Sequence, residues 1–158
     1  MTKPVPKGYK TVTTNLIFKD SRKAIAFYVK AFKAKELSVF LGPGGRGVMH
    51  ATIKIGNSIV MMADEMPQMS CKSAETLGNS PVSLYLYVKD ADKFVKRAVK
   101  AGAVVTMPVA DMFWGDRAGN IQDPFGYSWM VSTHTKDLSV EEIKQGGDAF
   151  FAKMAGSK

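Results

Sequence analysis

Residues 16–34, LIFKDSRKAIAFYVKAFKA, return in altered form as residues 86–104, LYVKDADKFVKRAVKAGAV. At a constant offset of 70, seven of these nineteen positions are identical: Leu16/Leu86, Lys19/Lys89, Asp20/Asp90, Lys23/Lys93, Val29/Val99, Lys30/Lys100 and Ala31/Ala101. The same offset pairs Gly56 with Gly126 and Ser58 with Ser128. Matches at one offset in separate segments point to one structural unit used twice. A chain of 158 residues fits two such small halves fused into one compact body.

The unit can be read from its periodicity. Leu16 and Phe18 alternate with Asn15 and Ile17, and Leu84, Leu86 and Val88 alternate with Ser83, Tyr85 and Tyr87, as in a strand with one apolar face. A helix follows each strand, with Asp20 or Ser21 placed to cap the first and Asp90 the second. Ile25, Tyr28, Val29 and Phe32 form an apolar stripe on one, and Val95, Ala98 and Val99 on the other, which Gly102 is placed to end. Three strands then follow in each half, near 36–41, 47–55 and 58–63, and near 104–110, 117–122 and 127–133. Turns at Gly42-Pro43-Gly44-Gly45, Gly56-Asn57 and Asp123-Pro124-Phe125-Gly126 separate them. Asp123 reads as a turn residue rather than a catalyst.

The expected fold is therefore α+β: two tandem βαβββ units forming a curved mixed sheet, with helices on the convex face and a C-terminal helix added. The boundaries are 9–64 for the first unit, 65–81 for a linker or lid, 82–135 for the second unit and 136–158 for the tail. In the tail, Ser139 and Glu142 form a capping box for a helix from about 140 to 154, weakened at Gly146-Gly147, with Phe150, Phe151 and Met154 as its docking side.

Charge narrows the partners. Lys+Arg total 22 against 14 Asp+Glu, a net +8. The cations are scattered over helix faces and tails, and no nucleic-acid-binding motif accompanies them, so a nucleic-acid partner is not expected. No stretch has the ~18 apolar residues of a membrane span. The start, MTKPVPKGYK, lacks the apolar run of a signal peptide, and Cys71 stands alone without a disulfide framework. A cytoplasmic protein is the expectation.

Alternation also sorts a polar sheet face, carrying Asn15, His50, Thr52, Tyr85, Tyr87, Asn120, Gln122 and Ser132 among others. Tyrosine and histidine among small polar groups suit a ligand cavity, although one sheet face often simply meets water. His50 is the candidate general base, or else a hydrogen-bonded residue shaping the pocket. His134, near the end of the last strand, reads as a capping or surface residue. Trp114, Asp116 and Arg117 stand together in FWGDR. They suit stacking and anion binding, or equally a salt-linked turn at the rim. Asn15, Tyr85 and Gln122 complete the candidate ligand-binding set.

The double βαβββ pattern, with DPFG leading into the last strand, resembles the vicinal-oxygen-chelate (glyoxalase/bleomycin-resistance/dioxygenase) superfamily over residues 9 to 135. The stretches VMHATIKIGNSIVMMADE, SPVSLYLYVKDAD and MPVADMFWGDRAGNIQDPFGYSW look more narrowly like its PhnB-like subgroup. The resemblance implies a metal site with one ligand from the first strand and one from the last strand of each half. Carried over, those positions fall at Thr13 and Ser83, at Met130, and at Val60 by the repeat or Met61 by comparison with the superfamily. None is a ligand for a hard divalent ion, so no metal and no other cofactor is expected. The resemblance also implies cavities built from two halves, within one chain or across a two-fold homodimer. Two functions stay open: binding of a small neutral or anionic molecule, or metal-independent catalysis with His50 as base.

Overall fold

The structure is a computed structural model that describes residues 2–156. The chain builds β1 (Thr14–Phe18), α1 (Ser21–Phe32), β2 (Lys35–Leu41), β3 (Val48–Ile55) and β4 (Ser58–Asp64). It then repeats them as β5 (Ser83–Tyr87), α3 (Ala91–Ala101), β6 (Val104–Asp111), β7 (Asp116–Gln122) and β8 (Ser128–His134). A short helix α2 (Ala74–Leu77) lies between the copies, and α4 (Val140–Ala155) follows the second. Among the described residues, no helix is long and apolar enough to cross a membrane.

The repeated residues make the same local bonds. Asp20 accepts from the Lys23 backbone N–H at 3.0 Å, and Asp90 from that of Lys93 at 2.9 Å, so both helices start on an aspartate cap. The helix ends differ: Gly102 closes α3, whereas α1 ends on Lys33 in the left-handed region at φ 56°. The capping box at the start of α4 is complete, with Ser139 and Glu142 each accepting from the other's backbone N–H.

Each unit is a four-stranded mixed sheet, ordered β1-β4-β3-β2 in one and β5-β8-β7-β6 in the other, with the first and last strands of each unit parallel. Among the described residues, no ladder joins the two sheets. They are held together by their helix sides, where α1 packs on α3 over one shared core. The aromatic rings of Phe18, Tyr28, Phe32, Phe94 and Trp129 meet there, Phe32 lying 4.9 Å from both Phe94 and Trp129. Full burial of side chains this large contributes on the order of 1.5–3 kcal/mol each.

A polar tie crosses the same core. The buried Asp123 carboxylate accepts from the Tyr28 hydroxyl at 2.6 Å, the Trp129 indole at 2.9 Å, and the backbone N–H groups of Phe125 and Tyr127 at 2.9 Å. Burial pushes its pKa up, and these four donors work against that rise. Tyr127 makes a second tie, its hydroxyl bonding both the N–H and the carbonyl of Ile17 on β1. Between the units, Glu65 accepts from Ser73 and Thr76 and anchors α2.

Candidate functional site

Since both helix sides face the shared core, the opposite face of each sheet lies outside it. In the second unit the register sets Tyr85 beside Met130 and Met130 beside Asn120; Tyr87 pairs with Ser132, and Asp116 with His134. Alternation puts these side chains on the face away from α3.

They form one hydrogen-bonded group. Asp116 is 2% exposed, and its carboxylate accepts from Tyr85 Oη and Trp114 Nε1, both at 3.2 Å, while its other oxygen lies 2.8 Å from His134 Nδ1. Ser132 Oγ donates to Tyr85 Oη at 2.8 Å, and the second ring nitrogen of His134 is 3.0 Å from Asp137. Hydrogen bonds to Asp116 and then Asp137 raise the His134 pKa above the usual imidazole value. A buried carboxylate with this many donors holds the surrounding side chains in fixed positions. Above it, the rings of Tyr85 and Tyr87 lie 5.1 Å apart, tilted 38° to each other, and stay 49% and 65% exposed, an aromatic surface with hydrogen-bonding groups at its edge.

The outer face of the first unit is simpler. His50 Nε2 is 3.2 Å from the buried Thr52 hydroxyl, which Tyr9 Oη approaches at 3.5 Å. Phe40 stands opposite His50, with ring centroids 6.4 Å apart. Asn15 is exposed and pairs with Met61, which in turn pairs with Thr52. No carboxylate orients His50 among the described hydrogen bonds and ion pairs.

The structure thus brings together Tyr85, Trp114 and Asp116. It places His50 and Asn15 on the other sheet, with no described bond between the two groups. Gln122 is exposed at the far end of the second sheet, beside Ser128. Arg117 follows Asp116 in sequence, so strand alternation turns it toward the helix side. There its guanidinium is bidentate to Asp92 of α3, at 2.6 and 2.9 Å, and reaches Asp111 at 3.1 Å. Tyr87, Ser132, His134 and Asp137 belong to the group although none was a site candidate in the sequence. Parity sets Tyr87 and Ser132 on the polar face with Tyr85; His134 reads as a capping or surface residue, and nothing in the sequence singles out Asp137.

The register also settles which residue of β4 corresponds to Met130. Asn15 pairs with Met61 as Tyr85 pairs with Met130, whereas Val60 is buried on the helix side. The four positions that the resemblance assigns to metal ligands are then Thr13, Met61, Ser83 and Met130. Hydroxyls and thioethers do not fit one, and Thr13 Oγ1 is already committed to the Lys10 carbonyl at 2.8 Å. Among the described residues, no three His, Cys, Asp or Glu side chains are gathered as a metal-holding set.

Residues 10–131 match the family model described as the Glyoxalase/Bleomycin resistance protein/Dioxygenase superfamily. Uncharacterized protein Rv0887c of Mycobacterium tuberculosis is 39% identical over 136 residues, covering 84% of this chain and 79% of that protein. The crystal structure of TioX from Micromonospora sp. ML1 superimposes with a TM-score of 0.63 at 26% identity, covering 79% of this chain and 98% of TioX. A PhnB protein from Bacillus cereus shares the fold with a TM-score of 0.61 at 19% identity, covering 78% of this chain and 99% of its own.

Proposed function

The chain belongs to the glyoxalase/bleomycin resistance protein/dioxygenase superfamily, and from that premise we propose that it binds a small neutral or anionic molecule on its polar sheet face without a metal ion. The observation that carries this reading is the Tyr85–Asp116–Trp114–His134 group under the exposed rings of Tyr85 and Tyr87. A ligand with an apolar or aromatic body packs against these exposed rings, and its polar edge meets the tyrosine hydroxyls and His134. Protonated His134 offsets only one of the two carboxylates that flank it, Asp116 and Asp137, so this group suits a neutral ligand better than an anion. The thioether and hydroxyl side chains at the metal positions support a binding mode that does not use a metal. The PhnB-like motifs in the sequence make that subgroup our finer placement, and a cytoplasmic location goes with it.

A metal-independent enzyme is the second reading. His50 was its candidate base, yet a neighbouring carboxylate orients His134 and none orients His50. An acid–base role on this face therefore suits the Asp116–His134 pair better.

The test is a metabolite screen by thermal shift, with hits repeated on Tyr87→Ala, Tyr85→Phe and His50→Asn. Tyr87 is exposed, so its replacement leaves the fold intact. Losing one stacking ring should weaken a true ligand by about 0.5–1.5 kcal/mol. Hits that ignore both tyrosine variants and respond to His50→Asn would move the site to the first sheet. A tightly held zinc or nickel ion, removed by chelation together with ligand binding, would overturn the metal-free reading.

A further inference from the structure

A second concave site lies between the two units, toward their helix sides, and meets the polar face at Tyr87, which lines both. It is a cleft of about 390 Å³, large enough for a small organic ligand. Its walls are the apolar side chains Phe32, Ile55, Leu86, Val88 and Phe94, contributed by both halves. Four cations line it, Lys33, Lys89, Lys93 and Arg97, against one carboxylate, Asp90. Asp90 already pairs with Lys93 at 2.9 Å, and neither Lys33 nor Lys89 has an ion-pair partner among the described residues. We propose that this cleft binds an amphipathic anion: a molecule with an apolar body and a single carboxylate, sulfonate or similar head group.

Two further observations support a built site. Arg97 is fixed in place, its Nε donating to the Ala31 carbonyl at 2.7 Å and its guanidinium lying 4.9 Å from the centroid of the Phe94 ring. The described hydrogen bonds use only Nε, so the two terminal nitrogens are left to receive an anion in a preset orientation. Lys33 ends α1 in the left-handed region at φ 56°, where glycine is the unstrained choice. The other half of the repeat uses Gly102 at its own helix end. The first half keeps a strained lysine at the point that lines the cleft, and strain of this kind collects at ligand sites.

The apolar walls are the reason for an amphipathic ligand rather than free phosphate. Phosphate would leave Phe32, Ile55 and Phe94 uncovered, and a neutral lipid would leave Lys33, Lys89 and the terminal nitrogens of Arg97 without an anionic partner. An anionic head at the rim and a hydrocarbon or aromatic body in the cleft satisfies both.

The experiment uses the full-length protein and the fluorescent naphthalene sulfonate ANS as probe, with near-UV circular dichroism confirming native packing. Saturable binding of one ANS per chain is expected, displaced by sodium decanoate and not by decyltrimethylammonium. The double reversal Lys33→Glu/Lys89→Glu should weaken binding roughly tenfold or more, equivalent to about 1.4 kcal/mol. Filling the cleft with Val88→Trp should abolish binding with the rim charges intact, and Leu86→Trp serves if that variant does not fold. Equal displacement by the anionic and cationic detergents, or unchanged affinity in the double reversal, would overturn the proposal. Tyr87 lines the cleft as well as the polar face, so the two readings are separated by Tyr85→Phe, a position outside the cleft lining: it should weaken polar-face hits and leave ANS binding unchanged.

Discussion

His134 lies between two carboxylates, 2.8 Å from Asp116 and 3.0 Å from Asp137, and these hydrogen bonds raise its pKa. The folded value then exceeds the unfolded one, which is about 6.5. Stabilisation from this contact is complete below that unfolded value and is lost as pH rises through the folded one. The melting temperature of the wild type should therefore exceed that of His134→Ala most below about pH 6.5, and the gap should shrink at alkaline pH. An NMR titration should give His134 a midpoint above 6.5, the usual imidazole value; a midpoint at or below it would disprove the charged pairing. The sequence showed this residue poorly. Its position near a strand end made it look like a capping group, because the buried partner that gives it a role, Asp116, lies 18 residues away. Arg117 shows the opposite case. Its place beside Asp116 suggested a shared rim, but a strand alternates its side chains, and Asp92 on α3 draws the guanidinium to the helix side. The Tyr85, Trp114 and Asp116 candidates do converge, since FWGDR leads directly into the strand whose partner in the sheet carries His134.

At the level of elements, the repeat was enough to place every strand to within one residue of where it lies, for instance 117–122 expected against Asp116–Gln122 found. Periodicity reports burial on one side of an element; the buried positions lie on β1, β3, β4, β7 and β8, whereas β2, β5 and β6 carry only half-buried and exposed residues. What periodicity cannot report is how two elements approach each other, and the start of α4 depends on that. Gly146 and Gly147 looked like a weak point of α4, yet the helix runs through them from Val140 to Ala155. They are there for contact: a Cβ at Gly146 would sit 3.0 Å from the Phe113 Cβ. Phe113 also meets Phe150 and Phe151, with centroids 5.7 and 6.3 Å away. The segment leading to α4 is tied to Gly115, whose carbonyl accepts from the N–H groups of Thr135 and Lys136 and from the Thr135 hydroxyl. Gly115 has φ 94°, and a Cβ there would stand 2.3 Å from the Lys136 carbonyl oxygen. Gly115→Ala should therefore cost about 1–3 kcal/mol, read by urea unfolding, and should speed proteolytic cleavage just before α4. An alanine variant as stable as the wild type would show that this tether carries no weight.

For the whole molecule, the packing of α1 on α3 has a consequence for assembly. With both helix sides turned to one core, the polar faces cannot close on each other within the chain, and each sheet ends in unpaired edge strands, β1 and β2 in one and β5 and β6 in the other. Large apolar side chains stay exposed there: Leu37, Phe40 and Leu41 on β2, and Tyr85 and Tyr87 on β5. Exposed strand edges of this kind invite pairing, and a second copy related by a two-fold axis is the simplest partner that covers both. If β2 of one protomer met β5 of the other, the His50 face of one would stand against the Tyr85 face of its partner and enclose a cavity. We therefore expect light scattering to give twice the chain mass of 17.2 kDa. Phe40 is 61% exposed, so Phe40→Lys leaves the protomer folded while placing a charge in the contact. It should weaken the dimer by about 1.4 kcal/mol or more, a tenfold rise in the dissociation constant. Ligand binding should weaken in parallel if the cavity needs both protomers. A mass of 17.2 kDa at working concentrations would rule out the dimer. If Tyr87→Ala still weakened ligand binding in that monomer, the second sheet alone would be the complete site.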